Sequence, residues 1–228
     1  MTRQYIPDRK RRNKLENRPF FRKPFVYRYF HATLAIMLIN FAVFGMNFIW
    51  PKISFYLSLN PVLITDHGML WQFVTYMFVH QNMSHILCNM LGLLFFGLPL
   101  EKSIGSKEFL LFYFVCGILS GILSFAVYSS IGIYFVFLMG ASGAIYAVLF
   151  AYAVFFPRST IFIWGIIPVP SPILVLIYTI VEITSQFLGR SSNVAHLTHL
   201  FGFFAAWLYF VVRMGIHPIK IWKDIYKH

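Results

Sequence analysis

The apolar residues of this chain do not alternate with polar ones; they continue for about 20 residues at a time, the length at which a helix crosses a hydrocarbon layer of about 30 Å. Six such runs occur, at roughly 29–50, 84–101, 107–128, 135–156, 171–188 and 194–213. Barrel strands would read as short alternating segments, so the unbroken runs predict helices. The first run is long enough to span, so it is expected to stay in the membrane and not to act as a cleaved leader. The connection 51–83 carries Pro51, Pro61, Asp66, His67 and Trp71 but is too apolar for a plain solvated loop. It is expected to be partly helical and to lie in the membrane interface.

Composition agrees. A 228-residue chain that is 59% hydrophobic and 11% charged cannot hide its apolar surface in one water-soluble core. The predicted fold class is therefore an all-α membrane protein, a six-transmembrane-helix bundle. Net charge is +12, yet the basic residues are clustered, ten of them within residues 1–28. With the amino terminus inside, seventeen Lys and Arg fall on the inner side and only Lys52 and Arg190 on the outer. That asymmetry predicts both termini cytoplasmic. It gives a basic tail at 1–28, a six-helix domain at 29–213 and a second basic tail at 214–228. The tails suit anionic lipid, not nucleic acid. The expected location is a bacterial cytoplasmic (inner) membrane, crossed several times. Cys88 and Cys116 lie in apolar runs and build no disulfide framework.

The second, fourth and sixth runs all enter from the outer side, and each has polar residues near its start. These are Ser84, His85 and Asn89 on the second, Gly140-Ala141-Ser142-Gly143-Ala144 on the fourth, and His196 and His199 on the sixth. They therefore share a depth, and polar groups at that depth are costly enough to mark a site. His85 and Asn89 are spaced i,i+4 and His196 and His199 i,i+3, so each pair shares a helix face. Gly143-x-x-x-Ala147 and Gly202-x-x-x-Ala206 are small-residue pairs that let helix backbones approach. Such packing would bring a histidine of the sixth run to Ser142, where an imidazole can take the hydroxyl proton. Attack on an amide then needs oxyanion donors; Asn89, His85 and the glycine-bracketed turn from Gly140 to the Ser142 N–H are the candidates.

These residues resemble the rhomboid intramembrane serine proteases. The resemblance runs from about 70 to 206 and rests on three motifs. They are His80-x4-His85-x3-Asn89, Gly140-Ala-Ser142-Gly-Ala, and a histidine followed three residues later by glycine. Glu101-x-x-x-Gly105-Ser106 also looks like that family. The resemblance implies six helices, a serine–histidine dyad without aspartate, and cleavage of peptide bonds in or near transmembrane segments of protein substrates. It also implies an oxyanion hole that includes His85 and Asn89. In the family pattern His-x-x-Gly-x-x-x-Gly, His199-x-x-Gly202-x-x-x-Ala206 fits with one alanine, whereas His196 is followed by His199 and Phe203. His199 is thus the assigned base and His196 the alternative. Many members carry Trp-Arg in the first loop, where this chain has Trp71-Gln72.

Supporting roles fall to His80, expected to hold the first loop against the second helix, and to Tyr146, which the resemblance puts under the histidine and which core packing would explain nearly as well. Glu182 is the one acid well inside a run; it could orient a histidine, but near the outer end of the fifth run it is read as snorkelling to the surface, so no third triad member is assigned. No metal or cofactor is expected. Two other classes compete. A haem or metal protein could use His80, His85, His196 and His199 as ligands but leaves Ser142 and Asn89 unused. An inactive rhomboid-like scaffold would be expected to lack the serine or the histidine.

Overall fold

A computed structural model describes residues 19–163, 165–188, 194–225 and 227. Residues 1–18 of the basic tail, Arg190 and Asn193 lie outside them. The chain runs through α1 (Ala32–Ile49), then three short helices, α2 (Ile53–Leu57), α3 (Pro61–His67) and α4 (Gln72–Thr75). It continues through α5 (Met83–Ile104), which contains one π-helical turn at Leu93–Gly97, and α6 (Ser106–Ser130). After these come α7 (Ser142–Phe155), a hairpin of β1 (Thr160–Ile163) and β2 (Ile167–Pro170), and α8 (Ser171–Leu188). The chain ends with α9 (Val194–Tyr209), a π-helical turn at Phe210–Met214, and α10 (Pro218–Ile225).

The surface is inverted relative to that of a water-soluble protein. Leu38, Phe48, Phe95, Leu176 and Ile180 are exposed, whereas Asn40, Glu101, Ser120, Ser124, Glu182 and Thr198 are buried. Lipid is the solvent that makes this distribution favourable, because only polar groups need to be hidden from it. Among the described residues, four helical stretches are long and apolar enough to cross a membrane: Ala32–Ile49, Met83–Ile104, Ser106–Ser130 and His196–Met214. Two more, Ser142–Phe155 and Ser171–Gln186, are apolar but shorter.

The fourth apolar run departs from expectation. Residues 135–141 are not helical; α7 starts only at Ser142. The extended approach is held by protein groups, as non-helical backbone at this depth must be. Leu59 and Leu138 exchange two backbone hydrogen bonds of 2.9 Å. The Asn60 amide donates to the Tyr134 and Val136 carbonyls at 3.3 and 2.9 Å. Gly140, at φ +116°, turns the chain into the helix. The 160–170 hairpin, antiparallel from Thr160↔Pro170 to Ile163↔Ile167, fills the connection between the fourth and fifth apolar runs.

The first loop is partly helical, as its composition suggested. Trp71 and Gln72 both donate to the Tyr56 carbonyl, at 3.0 and 3.2 Å, and Gln72 accepts the Asn60 N–H at 3.0 Å. A neutral glutamine thus ties the loop together at the position where the resemblance has arginine.

The centre of the bundle is α9 against α7 and α6. A Cβ placed on Gly202 would lie 2.2 Å from the Gly143 carbonyl oxygen, so the two backbones touch where the small-residue pairs align. Ala147 and Ala206 are fully buried in the same seam. Towards the far end of the bundle, Arg213 grips Glu108 through two nitrogens at 2.8 and 3.1 Å and also donates to the Phe21 carbonyl. Arg22 donates to the Val212 carbonyl at 2.8 Å. The described part of the amino-terminal segment therefore packs beside the end of α9.

Candidate active site

Because α7 begins at Ser142, that residue occupies the first helical position, where backbone N–H groups have no partner within the helix. No side chain caps this end. The Ser142 Oγ lies 2.8 Å from Nε2 of His199. The His199 ring stacks on Tyr146, one turn along α7, with centroids 4.1 Å apart and planes 12° from parallel. Gly202, one turn below His199, sets this distance by allowing α9 to lie against α7.

His196 does not reach the serine. Its Nδ1 is 2.6 Å from Oε2 of Glu182, and its ring centroid is 6.4 Å from that of His199. The i,i+3 spacing does put both histidines on one face, but the rotation of α9 aims only His199 at Ser142.

Glu182 corrects the snorkelling reading. Its side chain is 5% exposed and turned into the bundle from α8. Oε1 receives the Tyr146 hydroxyl and faces His199 Nδ1 at 2.9 Å, while Oε2 faces His196 Nδ1. A buried carboxylate is tolerated only when donors surround it, and here three side chains supply them. The available signal was its position: an acid well inside an apolar run, four residues after Tyr178, which lines the same site.

Opposite the serine, α5 presents His85 and Asn89. The Asn82 side chain caps that helix by accepting the His85 N–H at 2.9 Å. The Asn89 amide donates to the His85 carbonyl at 3.1 Å, leaving its second N–H. A Cβ on Gly140 would meet His85 Nε2 at 2.6 Å and Asn89 Nδ2 at 3.7 Å, so these two donors border the turn before Ser142. Gly140's own N–H is committed to the Tyr76 carbonyl at 2.9 Å. Its expected part as an oxyanion donor is therefore corrected: the residue gives space to His85 and a positive φ to the turn. His80 is 2% exposed, with its ring edge-on to His85 at 5.0 Å. Burial, reinforced by the neighbouring His85 ring, pushes its pKa down to about 4.

His85, Asn89, Ser142, Tyr146 and His199 line one cavity of about 290 Å³, together with Phe96 of α5 and Tyr178 of α8. A hydroxyl, an imidazole on its oxygen and two further N–H donors across a cavity form the constellation for nucleophilic attack on a carbonyl. Among the described residues, Glu182, His196 and His199 also have ligand atoms within 4.8 Å of one another, the chemistry of a metal site. Each is already engaged by hydrogen bonds in this structure.

A family model described as Rhomboid domain matches residues 67–215. The chain is 28% identical over 192 residues to "RHOMBOID-like protein 12, mitochondrial" of Arabidopsis thaliana, a match covering 75% of this chain and 55% of that protein. It is 28% identical over 127 residues to "Rhomboid-related protein 2" of Mus musculus, covering 52% and 40%. It is 38% identical over 55 residues to "Rhomboid-like protease 3" of Toxoplasma gondii, covering 24% and 21%. The matched regions thus span about half or less of the length of these relatives.

Proposed function

The chain belongs to the rhomboid family, and on that premise we propose that it is an intramembrane serine endopeptidase with Ser142 as nucleophile and His199 as general base. The observation that carries the reading is the 2.8 Å contact between Ser142 Oγ and His199 Nε2 inside a cavity that also holds His85 and Asn89. As Oγ attacks the scissile carbonyl, its proton passes to His199 Nε2. The carbonyl oxygen gains negative charge and is received by His85, the Asn89 amide and the Ser142 N–H at the positive end of α7. His199 then returns the proton to the leaving amine. Water, deprotonated by the same imidazole, hydrolyses the acyl-enzyme.

The proposed substrates are membrane proteins cleaved in or near a transmembrane segment. Access between α5 and α8 suits such substrates, because Phe96 and Tyr178 stand on either side of the cavity. The proposed topology has six spans, α1, α5, α6, α7, α8 and α9, with both termini cytoplasmic, on the charge asymmetry given above. The relatives matched above are eukaryotic, one of them named mitochondrial; the proposed location is a membrane crossed several times, with the inner side set by the charge asymmetry.

The test is cleavage of a transmembrane substrate by wild type, Ser142→Ala, His199→Ala and His196→Ala reconstituted in liposomes. Loss of cleavage is expected in the first two variants. Persistence in Ser142→Ala overturns the mechanism, and survival in His199→Ala with loss in His196→Ala reverses the choice of base. A metal-binding reading draws on the Glu182–His196–His199 cluster; stoichiometric metal in purified protein, removed together with activity by a chelator, would favour it.

A further inference from the structure

We infer that Glu182 is the positioning residue of the base, so that Ser142, His199 and Glu182 form a triad in which the carboxylate comes from α8. This rests on the protease reading and deepens it. A neutral imidazole can accept the serine proton at Nε2 only if its own proton sits on Nδ1. Nothing in the Ser142–His199 pair alone selects that tautomer, since a serine hydroxyl both donates and accepts.

Glu182 selects it. Its Oε1 lies 2.9 Å from His199 Nδ1, opposite the 2.8 Å contact of Nε2 with Ser142. An ionised carboxylate only accepts, so the proton on that edge of the ring must belong to the histidine. When Oγ attacks, the ring becomes positive beside a carboxylate that is only 5% exposed, and that carboxylate stabilises the charge. The other donors hold the acid in place: the Tyr146 hydroxyl on Oε1 and His196 Nδ1, 2.6 Å away, on Oε2. Tyr146 also stacks on His199, so one side chain orients both the ring's plane and its partner. His196 thereby acquires a function that the serine does not need from it.

A purely structural role, tying α8 to α9, predicts lost stability with the chemistry intact. Glu182→Gln keeps the shape and an acceptor for Tyr146 but removes the charge. Wild type, Glu182→Gln, Glu182→Asp and Ser142→Ala should be compared for kcat and KM on a transmembrane substrate, for the rate of Ser142 labelling by a fluorophosphonate, and for unfolding midpoint in detergent. Glu182→Gln is expected to lower kcat and labelling together by roughly 10³-fold, with KM within about threefold. Glu182→Asp should recover a good part of that loss. Glu182→Gln within threefold of wild type in kcat and labelling, while Ser142→Ala is inert, overturns the positioning role and leaves the protease reading standing. Full activity of Ser142→Ala overturns both. ¹⁵N-histidine NMR of the wild-type protein in bilayers needs no substitution: His199 is expected as the Nδ1–H tautomer, and the Nε2–H tautomer overturns the inference.

Discussion

Gly202 of α9 touches the backbone of Gly143 of α7, one residue beyond the serine, so closely that any side chain at 202 meets the Gly143 carbonyl at 2.2 Å. That carbonyl is part of a helix and cannot swing away. The distance between the two helices, and with it the reach from His199 to Ser142, is fixed at this contact.

Gly202→Ala is therefore expected to force α9 outward and lengthen the bond between imidazole and hydroxyl. A displacement near 1 Å at reacting groups lowers turnover by about 10²-fold, and the overpacking costs about 1–3 kcal/mol of stability. Gly143→Ala should be milder, because its Cβ would meet the side chains of Ser120 and Thr198 at 3.1 and 3.2 Å. Steady-state turnover and unfolding midpoints of the two variants check the order; equal effects would mean the contact does not set the geometry.

In the proposed mechanism Asn89 offers an amide proton to a charge that exists only on the reaction path. Asn89→Ala is expected to reduce kcat by about 10²–10³-fold with KM nearly unchanged. A raised KM at constant kcat would make Asn89 a substrate-binding residue instead.

Glu101 anchors α1. Its carboxylate accepts the Ala32 and Thr33 N–H groups at 2.7 and 2.9 Å and the Thr33 hydroxyl at 2.6 Å, and also takes the Ser106 hydroxyl. Glutamine there would turn an NH2 group towards donors, at a cost of about 2–3 kcal/mol, and would remove a negative charge from a helix amino terminus. Glu101→Gln should lower the unfolding midpoint by several degrees. Glu101 sits about 24 Å along α5 from His85, so kcat per folded molecule should not change.

His80 makes stability depend on pH. Its pKa is pushed from 6.5 to about 4 in the folded protein. Above 6.5 it is neutral in both states and stability is whole. Between 6.5 and 4 the unfolded chain takes up a proton that the folded one does not, so stability falls as the solution is acidified. The loss approaches on the order of 3 kcal/mol by pH 4. Unfolding midpoints of wild type and His80→Asn measured from pH 7.5 to 4.5 should diverge, the variant giving the flatter profile; parallel profiles would remove the assignment.

Much of this site was legible because its parts are expensive in lipid. Ser142, His85, Asn89, His196 and His199 interrupt apolar runs at a common depth, and a polar group there stands out against its neighbours without any coordinates. The small-residue pairs around Gly143 and Gly202 announced a close helix contact for the same kind of reason, since nothing else fills those positions.

Glu182 was misread because its cost is equally visible but its partners are not. A single acid in an apolar run has the same local pattern whether it points to the surface or to three donors on two other helices. The non-helical approach at 135–141 was hidden too, because its hydrogen bonds go to Leu59 and Asn60, some 75 residues away. By itself the amino-acid order determined what is apolar and which side chains have no business in hydrocarbon, both of which are properties of a residue and its near neighbours. Tertiary packing decided which histidine meets the serine, that Gly140 yields room and not a donor, and that Glu182 turns inward. Each depends on how one helix is rotated and spaced against another, which is set by contacts between residues distant in the chain.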